Sequence, residues 1–275
     1  MNFLVLAAGR SGSTMLVNYL SSHPNVRCHH EPFNQNGWHK QIKDYDNVAD
    51  ALDHLDQYGL SIPLYSKISS SIQKGIGLHR GRLVADPFKN KNKIKLEGFK
   101  ITWSQTDLIL ESIQSWLSQK SDVKILYLYR YDYLARFVSY HLAHTTGVWN
   151  SSHKQSDHKP FKASTISFKN FCDSEMRLEE KILKTLLSLN PNVSFLSYED
   201  LVSDPTRTIN KQLNFLGCDD IDRLNLFTRK LIIKPLDQLV SNFADLDSEL
   251  SNKTGNENRL KWIDRIISKY TDTKY

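Results

Sequence analysis

The chain has 275 residues, 40% of them apolar, enough to bury a sizeable core in one large domain or two small ones. Its 36 basic and 30 acidic residues leave a net charge of +6 in a sequence that is 24% charged, which excludes a disordered polyelectrolyte and points only weakly to anionic ligands. Cys28, Cys172 and Cys218 are odd in number and far apart, which favours free thiols in a reducing, cytoplasmic setting over a disulfide framework, and no CxxC stands ready for zinc.

In chain order, Phe3 to Ala8 is the first apolar run, without alternation, and predicts a strand buried on both faces. It falls far short of the ~20 residues of a membrane span, and the N-terminus has neither a basic leader region nor a cleavage site. Gly9-Arg-Ser-Gly-Ser-Thr14 breaks the run, and Met15, Leu16, Tyr19 and Leu20 follow at helical spacing until His23-Pro24-Asn25. Further strands are expected at Ile94 to Ile101, Val123 to Tyr129 and Val193 to Tyr198, with helices over Asp107 to Leu117, Tyr131 to His141 and Phe168 to Leu189. Strands alternating with helices predict an α/β fold of three layers, a central mainly parallel sheet flanked by helices. Asn34 to Asn92 breaks that rhythm and reads as a helical insertion within a single domain over 1–275. Thr145 to Ala163 is long and polar for a connector, which marks it as functional or mobile.

Three motifs carry chemistry. A strand ending in a glycine-containing loop that opens a helix aims backbone N–H groups and the positive helix end at one point, a geometry suited to phosphate. Ser11, Gly12, Ser13 and Thr14 supply those donors and Arg10 a guanidinium fork; the plainer alternative is a tight turn with Ser13 or Thr14 as an N-cap. The GxxxxGK[ST] pattern of nucleoside triphosphatases is absent, since Gly9 and Gly12 are three apart and no lysine precedes Ser13 or Thr14. The second motif, Val26 to Phe33, is expected to run beside the first strand and to bring Glu31 to the loop. A carboxylate there repels phosphate but suits a general base for an incoming hydroxyl. A solvated loop acid is the alternative, and His29 and His30 are rival bases, of which at most one faces the pocket. In the third motif Arg130 ends a strand and Ser139 lies nine residues on in the next helix, so the pair can converge on one anion. Otherwise Ser139 bonds back to its own helix and Arg130 pairs with Asp132.

Arg10-Ser-Gly-Ser-Thr-Met-Leu16, His30-Glu31-Pro32, Gly98-Phe-Lys100 with Gln105, Leu128-Tyr-Arg130 with Ser139, Tyr198 to Pro205 and Phe215-Leu-Gly217 together resemble the sulfotransferase family, over almost the whole chain. The likeness is greatest to carbohydrate sulfotransferases, of the bacterial trehalose and nodulation-factor type and the Golgi N-acetylglucosamine 6-sulfotransferase type. It implies a P-loop-like fold and 3'-phosphoadenosine-5'-phosphosulfate (PAPS) as co-substrate, with 3',5'-adenosine bisphosphate as product and no metal. It further implies that Arg10 to Thr14 cradle the 5'-phosphosulfate, that Arg130 and Ser139 hold the 3'-phosphate, and that Glu31 is the base. Arg259 or Lys261 resembles the basic loop that closes over the nucleotide. Asn34 stands where trehalose-type enzymes carry a second acid.

On that reading Arg10 and the loop, helped by Lys100, neutralise the leaving bisphosphate. Trp38, His39 and Trp149, with Glu31 and Asn34, wall an acceptor site for a sugar or glycoconjugate hydroxyl. A hydroxylated natural product or lipid is the alternative acceptor, and a nucleotide-binding protein without sulfuryl transfer the alternative of another class. No basic stripe calls for nucleic acid. His141, His144, His153 and His158 have no regular metal-ligand spacing. A homodimer is expected from the bacterial relatives.

Overall fold

Every position of β1 (Phe3–Ala7) is buried, as a strand with neighbours on both edges and helices on both faces requires. A computed structural model describes residues 2–30, 93–102, 107–120, 122–149, 158–189, 192–224, 234–253 and 264–269. After β1 come α1 (Ser13–Leu20), β2 (Val26–His29), β3 (Leu96–Thr102), α2 (Asp107–Gln119), β4 (Lys124–Tyr129), α3 (Tyr133–Thr146) and α4 (Thr165–Leu189). Then follow β5 (Val193–Ser197), α5 (Tyr198–Ser203), α6 (Pro205–Leu216), α7 (Leu236–Leu239) and α8 (Phe243–Lys253). The insertion expected at 34–92 lies outside the described residues.

The five strands are all parallel, in the order β2-β3-β1-β4-β5. The sheet was expected to be mainly parallel; among the described residues it is wholly so. The expectation that β2 runs beside β1 is corrected, because β3 and β4 already occupy both edges of β1 and β2 pairs with β3 instead. Side-chain alternation then sorts the core into layers. Leu4, Leu6, Ile125 and Tyr127 pack on Ile113, Trp116 and Leu117 of α2 and Ile182, Leu183 and Leu186 of α4. Phe3, Val5, Ala7, Leu126 and Leu128 face Leu16 and Leu20 of α1 and Ile209 and Leu213 of α6 on the other side. A third cluster joins α3, α4, α7 and α8 through Leu134, Val138, Phe168, Leu239 and Leu246.

Closeness between β1 and β3 is set at one residue. Gly98 pairs with Phe3, and a Cβ built on it meets the Phe3 carbonyl oxygen at 2.4 Å, so nothing larger fits without moving β1. The chain passes from β3 on one side of β1, through α2, to β4 on the other. At such a reversal α/β sheets bind ligands beyond the carboxyl ends of their strands, and the loop after β1 lies there. Among the described residues, no helix is long and apolar enough to cross a membrane.

Candidate active site

The loop between β1 and α1 is shaped by two left-handed residues. Gly12 (φ 84°) is the N-cap of α1 and gives it no side-chain cap; Arg10 (φ 63°) is the only non-glycine residue with positive φ among those described. A left-handed conformation costs an L-residue about 1–2 kcal/mol, so Arg10 is held there by its contacts. Its Nε donates to Ser139 Oγ at 3.0 Å and its Nη1 to the Trp149 carbonyl at 2.7 Å. Ser11 is fully buried, and its hydroxyl and its N–H both donate to the Ala8 carbonyl, at 2.7 and 3.4 Å, so it builds the turn. With glycine at the cap, no hydrogen bond among the described residues takes up the N–H groups of Gly12, Ser13 and Thr14. An uncapped helix start of this kind favours an anion.

Lys100 reaches the loop from β3. Its side chain is buried, and Nζ donates to Thr14 Oγ1 at 3.3 Å, bringing a positive charge under the first turn of α1.

From the other side comes Arg130, immediately after β4. Nη1 donates to the Arg10 carbonyl at 3.2 Å, while the guanidinium lies over the Tyr198 ring at 4.1 Å, within cation–π range. Tyr198 is wedged between this guanidinium and the loop: a Cβ on Gly12 lies only 2.5 Å from its ring. The alternative pairing of Arg130 with Asp132 is not what forms, because the Asp132 carboxylate caps α3 by accepting from Ala135 N–H at 2.9 Å. Burial and the nearby Arg130 charge both lower the pKa of Arg10, and the Tyr198 hydroxyl opposes them. Arg10 and Arg130 thus form a pair of like charges converging on the uncapped end of α1.

The structure brings together Arg10, Gly12, Ser13, Thr14, Lys100, Arg130, Ser139 and Trp149. Trp149 meets the site through its carbonyl, while its ring stacks edge-on with His144 and Tyr140, at 4.8 and 6.1 Å between centroids. His29 is taken out of the contest for a base. Its Nε2 lies 2.7 Å from Glu97 Oε1, and this hydrogen bond is the chief reason Glu97 titrates below the usual carboxylate range. Glu31, Asn34, Trp38, His39, Gln105, Arg259 and Lys261 lie outside the described residues. Sequence reasoning assigned no role to Tyr198 or Glu199. The signal was present, since Ser197 with Asp200 three residues on marks a helix start directly after a strand, and Ser197 Oγ accepts from Asp200 N–H at 3.0 Å.

The sulfotransferase domain model matches residues 1–261. Among solved structures, a sulfotransferase from Alicyclobacillus acidocaldarius is 14% identical, with 91% of this chain and 94% of that one aligned at a TM-score of 0.43. The sulfotransferase domain from the Synechococcus PCC 7002 olefin synthase is 18% identical, over 91% of this chain and 87% of that one, at 0.44. Mouse sulfotransferase SULT7A1, complexed with PAP, is 14% identical over 99% and 88% of the two chains, at 0.47. Among curated proteins, none matches the sequence. A domain match that takes in β1, the loop, Arg130, Ser139 and Tyr198 alike leaves one conclusion: the chain belongs to the sulfotransferase family.

Proposed function

We propose that this sulfotransferase transfers the sulfuryl group of PAPS to a hydroxyl of a carbohydrate or glycoconjugate, with Glu31 as general base. The observation that carries the nucleotide half is the juxtaposition of Arg10 and Arg130 above the uncapped N-terminus of α1. Two like charges held this close are relieved by two anions. Arg130 Nε, buried and with no hydrogen-bond partner among the described residues, fits one of them. PAPS carries two such anions, a 5'-phosphosulfate and a 3'-phosphate, and supplies an activated sulfuryl group.

The residues then divide the work. Arg10 and the N–H groups of Gly12, Ser13 and Thr14 face the phosphate that gains charge as the S–O bond breaks. Lys100 adds its charge through Thr14. Arg130 and Ser139 anchor the 3'-phosphate, and Glu31 takes the proton of the attacking hydroxyl. Trp149, with Trp38, His39 and Asn34, lines the acceptor side, and Arg259 closes over the nucleotide. Cys28, Cys172 and Cys218, odd in number and far apart in the sequence, suit a reducing, cytoplasmic setting.

Incubating the protein with labelled PAPS and a panel of hydroxylated acceptors tests the reading. Sulfated sugars and stoichiometric 3',5'-adenosine bisphosphate are expected. Label appearing only on hydroxylated natural products or lipids would overturn the carbohydrate acceptor, and no binding of PAPS or the bisphosphate would overturn the nucleotide.

A further inference from the structure

Glu199 has no part in the division of work above, yet its carboxyl group sits against Arg130. It is the second residue of α5, with a side chain 23% exposed, and Oε1 lies 4.0 Å from Arg130 Nε. Both carboxylate oxygens and Arg130 Nε are buried, and no hydrogen bond of ordinary geometry reaches any of the three among the described residues. The two groups therefore neutralise each other loosely, each keeping room for a stronger partner.

The groups facing Glu199 come from several elements. Arg130 stands at the end of β4, Asp132 at the start of α3 and Asp200 on α5; Tyr129, Tyr131 and Asp264, in the helical residues 264–269, complete the surroundings. Beyond Arg130 lie Tyr198 and Arg10. Burial outweighs the backbone N–H groups of Glu199 and Asp132 and the charge of Arg130, Asp132 adds repulsion, and the Glu199 carboxyl is pushed up to about 7. Tyr131 is pushed up to about 12, first by burial and then by Glu199, so it keeps its proton throughout the neutral range.

We propose that Glu199 is a positioning residue and proton-linked counter-ion of Arg130: ionised, it competes with the nucleotide 3'-phosphate for the guanidinium, and protonated, it releases Arg130 to that phosphate. The inference rests on reading Arg130 as the 3'-phosphate anchor. A phosphate drawn onto Arg130 brings negative charge beside Glu199 and strengthens its hold on a proton, so nucleotide binding takes up a proton. By reciprocity, affinity falls as pH rises through the ionisation of Glu199. The second ionisation of the 3'-phosphate, near pH ~6, acts in the opposite sense, since the ligand gains charge as pH rises.

The test titrates the wild-type protein and Glu199→Gln with adenosine 3',5'-bisphosphate and with 5'-AMP. From about pH 6.5 to about pH 8.5 the wild-type affinity for the bisphosphate should fall about 3- to 10-fold, with a much smaller change for 5'-AMP. Glu199→Gln, which mimics the protonated side chain, should hold the tight value across the range. If the bisphosphate binds no better than 5'-AMP at any pH, the Arg130 reading fails and this inference with it. If the bisphosphate binds better but its affinity stays flat, rises with pH, or keeps its slope in Glu199→Gln, only the role of Glu199 is overturned. A glutamine variant that fails to fold leaves a second measurement. Calorimetry of the wild-type protein at about pH 7.5, in buffers of different ionisation enthalpy, should show net proton uptake with the bisphosphate; none, or net release, overturns the proposal.

Discussion

Arg10 Nε donates to Ser139 Oγ at 3.0 Å, tying the loop after β1 to the middle of α3 across 129 residues of sequence. The helix that carries Ser139 starts three residues after Arg130, so this bond links the two anion subsites. Ser139→Ala removes the acceptor while leaving Arg10 its second partner, the Trp149 carbonyl. Affinity for 3',5'-adenosine bisphosphate should fall by about 1 kcal/mol, the net worth of one hydrogen bond, and that for 5'-AMP by less. Equal losses in calorimetric titrations of the two nucleotides would show that Ser139 acts only through Arg10.

The two arginines should separate binding from chemistry. Arg130 anchors a phosphate whose charge is constant through the reaction, so Arg130→Ala should weaken bisphosphate binding by about 1.5–3 kcal/mol and bring it close to that of 5'-AMP. Arg10 faces the phosphate that gains charge, so Arg10→Ala should lower kcat as well as affinity. A variant of Arg10 with normal kcat and altered affinity alone would assign the transition-state role elsewhere.

Two glycines test site and sheet independently. Gly12→Ala places a methyl group 2.5 Å from the Tyr198 ring in a left-handed backbone, and Tyr198 supports Arg130. Its conformational cost is about 1–3 kcal/mol, and bisphosphate affinity should drop along with the melting temperature. Gly98→Ala presses instead on the Phe3 carbonyl at 2.4 Å. It should cost about 1–3 kcal/mol or more in denaturant unfolding, while the fraction that remains folded binds nucleotide normally.

Much of this arrangement was legible because it is local. An apolar run without alternation, cut by Gly9 to Thr14 and resumed at helical spacing, reads directly as β1, loop and α1, and Arg130 falls at a strand end for the same reason. Partners were harder to read. Asp132 looked available to Arg130, but an aspartate just before a helix is claimed by the helix's own N–H groups, here Ala135, which leaves Arg130 to Tyr198 and Glu199 of α5. The place of β2 depends on strand order, which no periodicity encodes, and the left-handed φ of Arg10 follows from contacts with α3 and Trp149 far along the chain.

A buried network fixes α3 to α4 and predicts the cost of breaking it. Arg136, 1% exposed, pairs through Nη2 with Glu175 Oε2 at 2.5 Å, and the Tyr133 and Tyr127 hydroxyls donate to the carboxylate of fully buried Glu179. Arg136→Met removes the cation that pairs with Glu175 and leaves carboxylates uncompensated, so unfolding free energy should fall by about 3–5 kcal/mol. Adding Glu179→Gln should recover part of that loss. Strict additivity of the two substitutions in denaturant melts would mean that they do not interact.

The last prediction concerns Glu31, proposed as the base because a carboxylate near a phosphate site has no use as a phosphate ligand. Glu31→Gln keeps the shape and removes the proton acceptor, so turnover at saturating substrate should fall ~10²–10⁴-fold. Binding of PAPS should be spared, or tighten slightly, since a negative charge near the sulfate has been removed. In the parent enzyme the rate should rise with pH as this carboxylate ionises, and that limb should vanish in the variant. Of the two neighbouring histidines, His29 is held on Glu97, which leaves His30 as the rival base. Full activity in Glu31→Gln together with loss of activity in His30→Ala would transfer the role to the histidine, and a rate measurement on the two variants across pH decides it.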